Sequence, residues 1–112
     1  MKLALLNTSI LTEVGEYKLE QITLSEAKKL VKNNELDSAI GHLSTTEIMT
    51  ELLGVEIPVN RQIFKQQTGQ KALVFKLHGR SEEGKILTKQ KIEKIGYDFQ
   101  LLIRTIGNCE TR

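Results

Sequence analysis

His42 stands where a side chain could do chemistry, because the residues around it read as a turn that delivers an imidazole to the start of a helix. Ser44 and Glu47 have capping-box spacing, in which a hydroxyl and a carboxylate each satisfy a backbone N–H of the first turn. Leu43 and Ile48 fall at the two positions of a hydrophobic staple. Ile48 with Leu52, and Met49 with Leu53, recur at i, i+4, so one face of this helix is expected to be buried, and Gly54 can leave it with positive φ. His42 then sits just outside the first turn, where unpaired N–H groups and the helix dipole favour a bound phosphate or carboxylate. An imidazole titrating near neutrality beside such a site can protonate a leaving group. From spacing alone a second reading stands beside this one: a histidine serving as a helix cap or as a hydrogen-bonded core residue.

Other chemistries find little support. Two histidines and one cysteine, with neither Cys-x-x-Cys nor His-Glu-x-x-His, leave too few well-spaced ligands for a transition metal, and no cofactor motif is present. No Gly-rich phosphate loop occurs. Asp37, Ser38 and His42 are too close in sequence for a hydrolase triad without a nucleophile elbow. The lone Cys109 cannot form an internal disulfide, which suits a reducing cytoplasm, and no neighbouring His or helix start would activate its thiol. Few aromatic residues and no Trp argue against a stacking platform for single strands.

Sixteen Lys and Arg against fourteen Asp and Glu give a net charge of +2, too mild a balance to suggest duplex DNA. No apolar run reaches the ~20 residues of a membrane span. A single cytoplasmic domain over residues 1–112 is expected, with residues 107–112 as a flexible tail.

The elements that must position His42 follow from periodicity. The nearly continuous apolar run over residues 2–6 suggests a strand covered on both faces, and Asn7, Thr8 and Ser9 break it, either as pocket-lining groups at a strand end or as a plain turn. Alternation over Glu16–Ile22 predicts an edge strand. Thr23 and Glu26 form another capping box, with Leu24, Ala27, Leu30 and Val31 on one face and Lys28, Lys29 and Lys32 on a solvated one. Past Pro58, a strand through Ile63 and Gln67 is expected to turn at Thr68-Gly69 into a second strand over residues 71–78. Residues 79–84 make a charged segment between two glycines, readable as a lid or as an ordinary solvated exit. A third helix ending at Gly96 and a last strand over Tyr97–Ile106 complete the order β-β-α-α-β-β-α-β. This is an α/β domain with a mixed sheet of about five strands flanked by helices.

The motif Ser-Ala-Ile-Gly-His at residues 38–42, a Thr-rich helix, and Leu-Leu-Gly-Val-x-Ile-Pro-Val-Asn-Arg at residues 52–61 resemble the signature of the type III anti-CRISPR ring nucleases of viruses and mobile elements. Weaker agreement covers residues 5–11 and 80–86. The resemblance implies a homodimer that degrades cyclic tetra-adenylate without metal or cofactor. His42 would be the general acid, and Asn7, Ser9 and Ser44 would contact the scissile region. Arg61 would bind phosphate, and Arg80 and Glu83 would lie in the segment closing over ligand, with Glu82 an alternative to Glu83. Such a ring carries its own nucleophile, a 2′-hydroxyl, so the protein need only hold it in line, stabilise phosphoryl charge and protonate the 5′-oxygen. The alternative from another class is a non-catalytic nucleic-acid or cyclic-nucleotide binder. It expects His42→Ala to be harmless and loss of Arg61 and Arg80 to be disabling.

Overall fold

The computed structural model describes residues 2–78 and 89–106. Its elements run β1 (Leu3–Leu6), β2 (Glu16–Ile22), α1 (Leu24–Asn33), β3 (Leu36–Ser38), α2 (Leu43–Leu53), β4 (Lys71–Leu77), α3 (Lys89–Ile95) and β5 (Tyr97–Ile106). The five strands form one mixed sheet in the order β2-β5-β4-β1-β3. β1 pairs in parallel with both β3 and β4, while β5 runs antiparallel to β4 and β2. The expected class, a five-strand α/β domain, is the one observed.

β1 is apolar throughout because both its faces are covered. Leu3 and Leu5 join the helix-side core with Leu73, Phe75 and Phe99, against which Ala27 and Val31 of α1, Met49 and Leu53 of α2, and Ile92 of α3 pack. Ala4 and Leu6 face the other way with Ala72, Val74 and Leu102, and there Tyr17, Ala39 and Phe64 close over them. Each fully buried Leu, Ile, Val, Met or Phe among them contributes ~1.5–3 kcal/mol, which makes the two-sided core the main source of stability.

α1 begins as its sequence requires. Thr23 Oγ1 accepts from the Glu26 N–H at 3.1 Å, and Glu26 Oε1 accepts from the Thr23 N–H at 3.2 Å. α2 departs from expectation at its start. Its N-cap is His42, with no side-chain cap, so Ser44 lies inside the first turn and makes no capping box with Glu47. The reason is local: helical backbone at Ser44 cannot project its hydroxyl back over the third residue's N–H. Gly54 ends the helix at φ 75° and returns its N–H to the Thr50 carbonyl, as expected.

The order of elements along the chain also differs from the expected one. The expected strand through Ile63 and Gln67 is absent, and the fifth strand is β3, so the order is β-β-α-β-α-β-α-β. Both edges of β4 are already paired, with β1 and β5, which leaves no edge for a hairpin partner. The segment instead crosses the far face of the sheet without regular structure, placing Phe64 on the core and leaving Ile63 92% exposed. The expected lid over residues 79–84 and the tail over 107–112 lie outside the described residues. Among the described residues no helix is long and apolar enough to cross a membrane.

Candidate functional site

Because β1, β3 and β4 are parallel, their carboxyl ends lie on one edge of the sheet, the edge at which open α/β sheets take ligands. Asn7 leaves β1 there, followed by Ser9, and both are exposed. Residues 39–42 leave β3 at the same edge. The Ala39 N–H donates to the Leu5 carbonyl at 3.0 Å, and Ile40 is fully buried, so the chain is anchored immediately before it presents Gly41 and His42.

His42 is the N-cap of α2, at φ −118° and ψ 119°, and its carbonyl accepts the Thr46 N–H at 3.2 Å. Its imidazole is not spent on the helix, since it makes no cap bond. No acidic residue occupies the first turn, so the positive helix end is not neutralised from within. Ser44 sits in that turn, half-buried, and the Thr46 hydroxyl donates to the Leu43 carbonyl at 2.8 Å.

Arg61 reaches this place from twenty residues away through a set of hydrogen bonds. The Asn60 N–H donates to the Ile40 carbonyl at 2.9 Å. The Asn60 side-chain amide donates to the Ser38 carbonyl at 2.9 Å, and the Gln62 amide donates to the same oxygen at 2.7 Å. Gln62 Nε2 also lies 3.0 Å from Asp37 Oδ1. Arg61, between these two side chains, lies against Gly41: a Cβ at position 41 would stand 3.0 Å from Arg61 Nε and 3.3 Å from Arg61 Cβ. A guanidinium is thus held one residue from the N-cap histidine. A helix end without an acid, a guanidinium and an imidazole together can bind a phosphodiester and supply a proton.

The structure therefore brings Asn7, His42, Ser44 and Arg61 to one edge, with Ser9 exposed two residues beyond Asn7 on the segment leaving it, whereas Arg80 and Glu83 fall outside the described residues. Gly41, Asn60 and Gln62 had no functional reading in the sequence. Their part depends on contacts between segments some twenty residues apart, for which local pattern carries no signal. His78 follows β4, and its Nε2 pairs with Asp98 Oδ2 at 2.6 Å. A separate groove of about 450 Å³ runs between α2 and residues 56–59, with Leu43 and Val59 exposed along it. Glu47 and Glu56 line that groove, which makes it a poor host for phosphate.

A family model described as STIV B116-like matches residues 3–99. The chain belongs to this family. The uncharacterized protein YddF of Bacillus subtilis (strain 168) is 42% identical over 106 residues, covering 93% of this chain and 98% of YddF. The uncharacterized protein ORF117 of Acidianus two-tailed virus is 36% identical over 108 residues, covering 91% of this chain and 92% of the viral protein. B116 of Sulfolobus turreted icosahedral virus, a solved structure, superposes with a TM-score of 0.74 at 23% identity, over 92% of this chain and 99% of that one. That likeness shows the fold. The B116-like family accordingly spans viral proteins and a bacterial one.

Proposed function

We propose that this B116-like protein is a metal-independent ring nuclease that cleaves cyclic tetra-adenylate to linear di-adenylates and so switches off type III CRISPR signalling in the cytoplasm of the cell where it is made. The observation that carries the reading is the packing of Arg61 on Gly41 beside the N-cap His42, at a helix end without a first-turn acid. The resemblance of residues 38–61 to the ring nucleases supports it independently.

In the proposed reaction a ribose 2′-oxygen attacks the adjacent phosphorus, and the P–O5′ bond breaks. His42 gives its proton to the departing 5′-oxygen, the 2′-hydroxyl proton leaves to solvent, and Glu83 or its neighbour Glu82 orients the ribose or His42. Arg61 and the α2 N–H groups stabilise the added charge on the phosphoryl oxygens. Asn7, Ser9 and Ser44 hold the ribose and phosphate in line, and Arg80 binds the ring from the segment that closes over it. Two such cleavages convert one ring to two di-adenylates ending in 2′,3′-cyclic phosphate. General-acid help of ~10²–10⁴-fold on a rigidly held ring suffices for appreciable turnover.

A four-fold ring presents equivalent phosphates on opposite sides, and an isologous homodimer would meet two of them with two copies of the site. The binding test is titration of cyclic tetra-adenylate into wild-type protein and Arg61→Ala in EDTA, with sedimentation of the wild type. The reading expects a dimer that binds one ring and a weakening of about tenfold or more in the variant. A monomer with and without ring, or equal affinity in both proteins, contradicts it.

A further inference from the structure

Gly41 is bare without a backbone reason for being so. Its φ lies outside the left-handed region that Gly15, Gly54, Gly69 and Gly96 adopt, so an alanine could take the same backbone conformation. What glycine provides here is room, and the room is filled by the Arg61 side chain, with Cβ, Cγ and Nε at 3.3, 3.4 and 3.0 Å from where a Cβ would stand. Arg61 cannot retreat as a whole. The Asn60 N–H is bonded to the Ile40 carbonyl, and the Asn60 and Gln62 amides converge on one oxygen, that of Ser38, so the backbone on either side of Arg61 is pinned.

We propose that Gly41 and the Asn60–Gln62 bracket are positioning residues that aim the Arg61 guanidinium at the phosphate beside His42. This deepens the proposed function and rests on it for the identity of the ligand. A Cβ at position 41 displaces the arginine stem by a few tenths of an ångström, and because the stem's root is pinned, the side chain must rotate. The guanidinium, three bonds beyond Cγ, then swings off its line, and a bidentate contact to a phosphodiester is lost. The helix end and His42 are untouched, so binding weakens while the fold does not. Replacing glycine by alanine where the backbone permits it restricts the unfolded chain, so the melting temperature of Gly41→Ala stays level or rises.

The test has two arms. In the ligand-free ¹⁵N-labelled protein, the Arg61 Nε–H cross-peak, assigned by its disappearance in Arg61→Ala, is followed in Gly41→Ala and in Gln62→Ala. The expected result is movement in both variants toward the position of a freely rotating arginine. An unmoved peak overturns the proposal whether or not the protein cleaves any ring, so this arm is independent of the functional reading. In the second arm, affinity for cyclic tetra-adenylate is measured for wild type, Gly41→Ala, Arg61→Ala and the double variant. Gly41→Ala should weaken binding about tenfold in the wild-type background and not at all once Arg61 is gone. Losses that multiply across the two substitutions overturn it, because Gly41 would then act on something other than Arg61.

Discussion

Arg104 donates from Nη1 to the backbone carbonyl of Gln66 at 2.5 Å, and from Nη2 to that of Val14 at 3.0 Å. One guanidinium on β5 therefore ties together the two irregular segments that carry the candidate site: the loop after β1, with Asn7 and Ser9, and the segment after α2, with Arg61. Gln66 strengthens the junction. Its N–H donates to Thr12 Oγ1 at 2.7 Å, and its buried side-chain amide donates to the carbonyls of Gln70 and Leu102.

Arg104→Met keeps the apolar stem and removes both guanidinium bonds, leaving the Gln66 and Val14 carbonyls without this donor. A loss of ~1–3 kcal/mol is expected. In a domain of this size that lowers the melting temperature by roughly 4–8 °C per kcal/mol, readable by calorimetry. Faster hydrogen exchange at the Gln66 amide should accompany it, because the loop holding Thr12 is released. A melting temperature within a degree of wild type would mean that the junction is held elsewhere.

The two helix starts make a paired prediction. Thr23→Ala removes an observed capping box from α1 and should cost ~0.5–2 kcal/mol. Ser44→Ala removes a hydroxyl that caps nothing, so α2 should melt as in the wild type. Equal losses in the two variants, by thermal or urea denaturation, would show Ser44 to be the cap that its sequence spacing suggests.

Much of the frame was legible because it is local. The unbroken apolar run of β1, the Thr23–Glu26 box and the exit at Gly54 each follow from a few adjacent residues. β3 was not, since Leu36, Asp37 and Ser38 show no strand pattern of their own and pair only because β1 offers its edge. Ile63 and Gln67 failed for the converse reason: their alternation suits a strand, but β4 has no free edge to receive one. His42 at a helix start was legible from Ile48, Leu52 and Gly54. Its neighbour Arg61 was reached through resemblance, and its seat on Gly41 is a tertiary contact that no local pattern encodes.

If His42 is the general acid, it works only when protonated. The single-turnover cleavage rate in EDTA should therefore fall as pH rises, and His42→Ala should lose that falling limb together with most of its rate, about 10²-fold or more. Arg61→Ala should slow the reaction while retaining the limb, since a guanidinium keeps its charge throughout. A falling limb that persists in His42→Ala would assign the proton to another group.

The measurement that bears most directly on the proposed function is incubation of the purified protein in EDTA with cyclic tetra-adenylate and, separately, cyclic hexa-adenylate, beside His42→Ala, with mass spectrometry of the products. The account predicts that the wild type converts the four-membered ring to di-adenylates ending in 2′,3′-cyclic phosphate or its opened monophosphate, and that His42→Ala leaves the ring intact. A ring that binds to the wild type and emerges whole, or is cleaved equally by His42→Ala, would contradict it.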